Sequence, residues 1–213
     1  MLVLYVIIFA VFMIPVWLHR VKIINKKNMP KKGVKCIVAS NHFSIWDPMI
    51  FHVKFWRRYR ALAKKELFKN WLFTLVLRSL AGIPVDREKM SPSTYKEVMA
   101  ALDKNKQVLI FPEGTRNKTE SDDMQNAKTG VIIFASKADV PIVPVVIYKK
   151  PRFFRKNYMI VGEPFKVEGE NPKRLTKEEI EKNTQIYMNK MANLRKQLDE
   201  MIENKKKKKK KQA

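Results

Sequence analysis

Residues 37–51, with the sequence IVASNHFSIWDPMIF, join an apolar run to a polar turn and then to a second apolar run. The first run is rich in β-branched residues, as expected for a buried strand. The residue before a proline avoids the helical region, whereas proline suits the first turn of a helix. Asp47 is therefore expected to be the N-cap of a helix that starts at Pro48. The segment predicts a strand, a short loop that carries His42, and a helix.

Short β-branched runs and helical stretches alternate along the rest of the chain, which predicts an α/β fold with a largely parallel central sheet flanked by helices. In such sheets functional residues follow the carboxyl ends of the strands. The strand candidates are residues 34–39, 59–63, 83–85, 107–111, 142–148 and 158–161. The helix candidates between them are residues 48–57, 68–80, 93–104 and 127–138. Residues 68–80 are apolar on nearly every side and are interpreted as core, with an acyl-chain channel as the alternative.

The composition is that of a globular protein with an unusual charge. The chain has 213 residues, is 46% apolar, and carries a net charge of +24. Removing the seven lysines of residues 205–211 still leaves +17, so the folded body is basic as well as the tail. This indicates an anionic partner: phospholipid, nucleic acid or an acidic carrier protein. The single cysteine excludes an intramolecular disulfide and leaves no cysteine pair for a zinc site.

The chain begins with eighteen uncharged residues, about the minimum for a membrane-spanning helix. Basic residues follow this run, beginning with Arg20 and Lys22, so residues 1–20 are predicted to be an uncleaved membrane anchor with the catalytic domain on the cytoplasmic face. Trp17 and His19 lie where interfacial residues are expected. A helix lying in the membrane plane or buried in the protein remains the alternative. Residues 51–60 interleave aromatic and basic side chains and are interpreted as a surface against anionic headgroups.

The C-terminal part is predicted to be one long amphipathic helix. Thr176 and Glu179 match the capping-box pattern, and apolar residues then recur at helical spacing. The predicted organisation is an anchor at 1–20, an α/β domain at 21–170, this helix at 171–204, and a disordered lysine-rich tail at 205–213.

His42 and Asp47 are the candidates for catalysis. A short loop between a strand and a helix can bring positions five apart face to face, so that the carboxylate accepts a hydrogen bond from one imidazole nitrogen. The other nitrogen would then act as a base near neutral pH. The alternative is a loop histidine bonded to backbone and an aspartate that only caps a helix. His19 flanks the predicted anchor, and His52 lies within a predicted helix among aromatic residues, with no suitable carboxylate partner in sequence.

Two further loops contain groups suited to an anionic ligand. Residues 111–117, FPEGTRN, follow an apolar strand with a glycine that permits close backbone approach, a threonine hydroxyl and an arginine fork. Residues 82–88, GIPVDRE, end a short strand with Asp86 and Arg87. Ordinary surface turns with ion pairs are the alternative for both loops.

In order and spacing, these three loops resemble those of the glycerolipid acyltransferase family that includes 1-acylglycerol-3-phosphate acyltransferases. The first matching block contains Asn41, His42 and Asp47; residues 82–87 resemble the second block, residues 111–116 match the third, and residues 140–145 are similar to the fourth. The resemblance implies that His42 and Asp47 are catalytic. It also implies that the acceptor substrate is bound by Arg87, Glu113, Gly114, Thr115 and Arg116.

The implied reaction is transfer of an acyl chain from acyl-CoA or acyl carrier protein to lysophosphatidic acid at an anionic membrane surface, with no metal and no cofactor beyond the acyl donor. Another lysophospholipid or glycerol 3-phosphate is an alternative acceptor. A nonenzymatic basic module that binds membranes or nucleic acid is the alternative from a different class, and the catalytic loops argue against it. Cys36 is interpreted as a packing residue and not as a nucleophile.

Overall fold

The computed structural model describes residues 2–86, 91–112 and 129–210. Its seven strands form one sheet in the order β1-β7-β6-β2-β5-β3-β4. The strands are β1 (Val21–Ile24), β2 (Cys36–Ser40), β3 (Arg60–Lys64), β4 (Ile83–Val85), β5 (Gln107–Ile110), β6 (Ile142–Ile147) and β7 (Asn157–Val161). The helices are α1 (Leu2–Leu18), α2 (Asp47–Phe55), α3 (Trp71–Ser79), α4 (Pro92–Asp103), α5 (Gly130–Ala138) and α6 (Lys177–Lys210).

The sheet is mostly parallel, as the alternation of elements predicts. Strands β6, β2, β5, β3 and β4 are mutually parallel, with Val38 of β2 opposite Leu109 of β5 and Val143 of β6. Strand β7 pairs antiparallel with β6, and β1 pairs parallel with β7. The carboxyl ends of β2, β5 and β6 therefore meet at one edge of the sheet. Because the predicted catalytic residues follow β2 there, this edge is called the catalytic edge below.

The core has two layers, one on each face of the sheet, because successive side chains of a strand point to opposite faces. Ile37 and Ala39 pack against α4, α5 and α6, whereas Cys36 and Val38 pack on the side of α1 and α2. All four side chains are completely buried. The near-continuous apolar strands of the sequence thus reflect a sheet covered on both faces.

Strand β1 is absent from the sequence prediction. Its four residues include Lys22, and their partners in β7, from Asn157 onwards, lie more than 130 positions away in sequence. A short strand of this kind has little local signal, and only the distant partner decides it.

Helix α1 covers residues 2–18 and lies along the domain, in contact with α2 and α3. Ile8 and Val16 are buried in the core, while Val3, Ile14 and Trp17 point away from it. His19, expected at a membrane interface, is completely buried, so that part of the prediction is wrong. Among the described residues no helix has both the length and the apolar character needed to cross a bilayer.

Helix α3 is more exposed than the interpretation of residues 68–80 as core predicts. Asn70 caps it by accepting hydrogen bonds from the amides of Leu72 and Phe73, at 2.9 and 3.2 Å, so that it begins later than expected. Trp71 is 76% exposed, and Leu72 and Phe73 are also exposed. The apolar side chains at the start of this helix therefore lie on the surface and not in the core.

Helix α6 begins with the predicted capping box: the amide of Thr176 donates to Glu179, and the amide of Glu179 donates to the Thr176 hydroxyl. Tyr187, Met191 and Leu198 are buried against the sheet. The helix continues to Lys210, so the prediction of a disordered tail from residue 205 is wrong for residues 205–210. Lysine is a good helix former, and extending an existing helix adds a hydrogen bond for each residue fixed.

Candidate active site

The loop between β2 and α2 brings His42 and Asp47 together. Nδ1 of His42 lies 2.8 Å from Oδ2 of Asp47. The Asp47 side chain is completely buried, whereas the His42 side chain is 11% exposed. Because the carboxylate holds Nδ1, Nε2 is the ring nitrogen available to a substrate.

Asp47 organises the whole loop from its own position at the start of the helix. Its Oδ2 also accepts hydrogen bonds from the backbone amides of Phe43 and Ser44, each at 2.7 Å. The helix starts at Asp47 itself and its N-cap is Trp46, so the expectation that Asp47 is the N-cap is wrong. The carboxylate turns back towards the preceding loop because three donors converge there. Its Oδ1 is buried and has no hydrogen-bond partner among the residues that the structure describes.

Asn41 attaches the same loop to the neighbouring strand. Its side-chain amide donates to the carbonyl of Ile147 and accepts from the amide of Ile147, both at 2.8 Å. This pair continues the β2–β6 ladder one position beyond Ser40, the last residue of β2. The family resemblance placed Asn41 in a motif but gave it no function. This contact shows that Asn41 fixes the backbone directly before His42.

Phe111, the residue that follows β5, lies against the ring of His42. The two ring centroids are 4.1 Å apart and the rings are inclined by 24°. With Asp47 at one ring nitrogen and Phe111 on one face, the imidazole has little freedom to rotate. Sequence reasoning did not assign this contact; its only signal was that Phe111 ends a strand adjacent to β2.

Five of the predicted site residues lie outside the described residues: Arg87, Glu113, Gly114, Thr115 and Arg116. The strands that precede them are β4 and β5, as predicted. Among the described residues, no group of three or more His, Cys, Asp or Glu side chains is placed to hold a metal ion.

The single cysteine and the other two histidines are buried in the core. Burial raises the pKa of the Cys36 thiol to about 12, so the thiol is protonated at neutral pH. Burial, with smaller contributions from Arg58 and Arg60, lowers the pKa of His52 to about 3. His19 hydrogen-bonds the carbonyl of Pro15 through Nδ1 at 2.8 Å, and burial lowers its pKa. His42 is the only one of the three histidines that has a carboxylate partner in the described part of the chain.

The basic segment 51–60 does not form the headgroup surface expected from its sequence. Arg57 hydrogen-bonds the carbonyl of Pro30 and the side chain of Gln107. Arg58 hydrogen-bonds the carbonyl of Ser79 and lies over the ring of Tyr5, 5.0 Å from its centroid. The segment packs between other elements, so these guanidinium groups hydrogen-bond backbone carbonyls of the protein. Composition alone cannot reveal such contacts.

Comparison with known proteins agrees with the motifs at this edge. A family model described as Acyltransferase matches residues 20–148 of the chain. A 1-acyl-sn-glycerol-3-phosphate acyltransferase of Borreliella burgdorferi is 35% identical over 152 residues, which cover 70% of this chain and 60% of that protein. The enzyme of the same name from Bacillus subtilis is 34% identical over 151 residues, covering 68% of this chain and 73% of that protein.

The fold also has a close counterpart among solved structures. The crystal structure of the 1-acyl-sn-glycerophosphate (LPA) acyltransferase PlsC from Thermotoga maritima matches with a TM-score of 0.66 and 24% sequence identity, covering 92% of this chain and 79% of that one. At this identity the match shows the shared fold alone. With the family model and the Bacillus relative, the resemblance inferred from the three loops is confirmed: the chain belongs to the acyltransferase family.

Proposed function

We propose that the protein is a 1-acylglycerol-3-phosphate O-acyltransferase, which transfers an acyl chain from an acyl thioester to the free sn-2 hydroxyl of lysophosphatidic acid and forms phosphatidic acid. The observation that carries the proposal is the 2.8 Å contact between His42 Nδ1 and Asp47 Oδ2 at the catalytic edge. The names of the Borreliella and Bacillus relatives support this choice of acceptor.

In the proposed mechanism His42 is a general base. Its Nε2 takes the proton of the sn-2 hydroxyl, and the hydroxyl oxygen attacks the thioester carbonyl carbon. The tetrahedral intermediate collapses as the carbon–sulfur bond breaks, and the departing thiolate takes the proton back from Nε2. Asp47 holds the tautomer with the proton on Nδ1 and stabilises the imidazolium form. No acyl-enzyme is required, which agrees with a buried, protonated Cys36.

The acceptor phosphate is proposed to be bound by Arg87 and Arg116, since a guanidinium pairs with a phosphate monoester through two charge-assisted hydrogen bonds. Glu113 is assigned to the glycerol or to a neighbouring arginine. Gly114 allows close approach of the backbone, and Thr115 offers a hydroxyl donor. These assignments rest on the family motif. Acyl-CoA and acyl carrier protein are both proposed donors.

Two apolar surfaces support activity at a membrane. The outer stripe of α1 includes Val3, Ile14 and Trp17, and the neighbouring outer face of α3 includes Trp71 and Phe73. An apolar helix face beside basic residues is typical of proteins that lie on an anionic bilayer. Since the other face of α1 is part of the core, we propose that α1 lies in the membrane plane with the catalytic edge on the cytoplasmic side.

The test is release of free thiol from acyl-CoA that depends on added lysophosphatidic acid. His42→Ala should reduce turnover by about 10²-fold or more, the lower end for removing a positioned general base. His42→Gln is the matched variant, because its amide can still donate to Asp47 but cannot take a proton. Normal turnover by His42→Gln would contradict the mechanism. Absence of acceptor-dependent thiol release from the wild-type protein with both acyl-CoA and acyl carrier protein as donors would favour a nonenzymatic basic module.

Acceptor choice is tested with Arg116→Ala. Loss of a charge-assisted contact to phosphate costs about 1.5–3 kcal/mol, or roughly ten- to more than a hundredfold in kcat/KM for lysophosphatidic acid. Lysophosphatidylcholine, whose phosphate carries less charge, should be a poorer acceptor for the wild-type enzyme and less affected by the substitution. Equal losses of kcat/KM for both acceptors, together with a large fall in melting temperature, would show that Arg116 stabilises the fold and does not bind the acceptor phosphate.

A further inference from the structure

The loop that joins β6 to β7 has a composition that the proposed reaction does not use. Residues 149–156, KKPRFFRK, contain five basic side chains, two phenylalanines and no acidic residue. Lys149, Lys150, Phe154 and Lys156 are all exposed. These residues are called the basic loop below.

The basic loop has a fixed shape because Asn157 organises it. The Asn157 side chain accepts a hydrogen bond from the amide of Arg152 at 3.1 Å. It donates to the carbonyls of Arg152 and Arg155, at 2.9 and 3.0 Å, and also to the carbonyl of His19. The loop is thereby tied to the segment that leaves α1.

The two phenylalanines differ in how far neighbouring rings cover them. The ring of Phe153 packs on one side, with its centroid 4.1 Å from that of His19 and 5.6 Å from that of Trp46, and its side chain is still 41% exposed. Phe154 has a φ of 58° and is 69% exposed, and its amide donates to the carbonyl of Leu18 at 2.8 Å. A bulky residue in the left-handed region is strained. The loop thus accepts strain and holds an aromatic ring out towards the surroundings.

The basic loop lies at the catalytic edge. It begins just after Ile147, to which the side chain of Asn41 is bonded, and Phe153 packs on Trp46, the residue before Asp47. The exposed Trp17 near the end of α1 precedes Leu18, the partner of Phe154. In β7, directly after the loop, the ring of Tyr158 has the ammonium of Lys205, the first residue of the lysine run, 4.9 Å from its centroid.

We propose that the basic loop docks into the headgroup region of an anionic bilayer, with Phe154 and Trp17 at the boundary of the acyl chains and the lysines and arginines on lipid phosphates. Charge complementarity and continuity with the apolar stripe of α1 favour a bilayer over an acidic protein, which would match the charge but not the apolar surface. The loop orients the catalytic edge towards the membrane; this last step alone rests on the proposed function.

The role of Phe154 is tested by partitioning of the full chain onto phosphatidylglycerol vesicles, measured by cosedimentation. Phe154→Asn should weaken partitioning about five- to tenfold, because an aromatic ring no longer enters the bilayer. Its melting temperature should stay equal or rise, since asparagine tolerates the left-handed conformation. Val34→Asn is the matched control, an exposed apolar residue before the amino end of β2. Unchanged partitioning of Phe154→Asn, or an equal loss in Val34→Asn, would overturn the proposal.

The charges are tested with the double variant Lys150→Gln/Lys156→Gln against Lys104→Gln/Lys106→Gln, whose exposed lysines precede β5 at the opposite edge. Each lysine near an anionic surface raises the vesicle partition coefficient about fivefold. The partition coefficient of the loop variant should therefore fall roughly 25-fold at low ionic strength and change little in 0.5 M salt. The control should change less than threefold. Equal losses in the two variants would reduce the effect to net charge and refute a specific role of the loop.

A third measurement separates a bilayer from an acidic protein. In a Cys36→Ala background, a polarity-sensitive fluorophore on Lys156→Cys should shift to shorter wavelength with phosphatidylglycerol vesicles but not with apo acyl carrier protein, whereas one on Lys104→Cys should respond to neither. A shift with the carrier protein alone would overturn the proposal and indicate an acidic protein as the partner of the loop. No acyl donor is present, and His42→Gln should bind vesicles normally, so failure here is distinguishable from failure of the proposed reaction.

Discussion

The side chain of Asn41 forms two hydrogen bonds, both 2.8 Å long, with the backbone of Ile147, a residue 106 positions later in the chain. The contact connects the end of β2 to the end of β6 at the point where the chain leaves both strands. It fixes the backbone directly before His42 and the start of the basic loop. One asparagine thereby couples the position of the proposed base to that of the proposed membrane contact.

Asn41→Ala should therefore affect both stability and catalysis. It leaves the buried amide and carbonyl of Ile147 without these partners, at a cost of about 1–3 kcal/mol in the free energy of unfolding. We expect kcat to fall while KM for the acyl donor changes little, because the imidazole loses its alignment. Urea unfolding and steady-state kinetics measure the two effects, and a stable variant with normal kcat would show that the contact is dispensable for positioning.

Asp47→Asn should retain the fold and lose activity. The amide has the size of the carboxylate, and its oxygen can still accept from the amides of Phe43 and Ser44, but it carries no charge to stabilise the imidazolium of His42. We expect kcat to decrease by about 10²-fold or more, within the range for disrupted general-base catalysis. Asp47→Leu, which removes the acceptor for these amides, should unfold more easily. Comparable melting temperatures for Asn and Leu variants would disagree with this account of the loop.

Cys36→Ala should preserve acyl transfer. The thiol is completely buried in β2, and burial raises its pKa to about 12, so almost none is thiolate at neutral pH. We expect kcat within about twofold of wild type and a loss of stability of about 1 kcal/mol from reduced packing. A folded Cys36→Ala protein that fails to transfer acyl groups would overturn the direct-attack mechanism.

His52 should make the protein less stable in mild acid. Burial and the charges of Arg58 and Arg60 lower its pKa from 6.5 to about 3, so the unfolded chain takes up a proton below pH 6.5 while the folded chain does not. The stability from a neutral His52 is thus fully present above pH 6.5 and is lost, at about 1.4 kcal/mol per pH unit, as the pH falls towards 3.

The matched substitution for this effect is His52→Leu. Neither ring nitrogen of His52 has a hydrogen-bond partner in the described part of the chain, so an apolar side chain fits the site. Urea unfolding at pH 7.5, 6 and 5 should show a shallower loss of stability in the variant than in wild type. Burial also lowers the pKa of His19, which accounts for part of the slope that remains. Identical slopes for the two proteins would exclude His52 as the source.

Much of the fold and the central pair of the site follow from local sequence. The apolar, β-branched runs are recognisable because parallel strands covered on both faces need apolar side chains at every position. The loop from Ser40 to Asp47 is short enough that the meeting of His42 and Asp47 could be expected from their spacing. The capping box of Thr176 and Glu179 is likewise a local signal, and it marks the start of α6 correctly.

Tertiary structure decided what depends on distant partners or on a choice between faces. Helix α1 is apolar all round, so its sequence contains no amphipathic pattern to say which side enters the core. The arginines at 57 and 58 have the composition of a headgroup surface, yet they hydrogen-bond carbonyls elsewhere in the chain. Phe154 is held outward because its amide donates to the carbonyl of Leu18 in α1 and because Asn157 of β7 hydrogen-bonds the loop on both sides of it. In each case sequence supplied side chains of the right chemistry, and only long-range packing and hydrogen bonding fixed the direction in which they point.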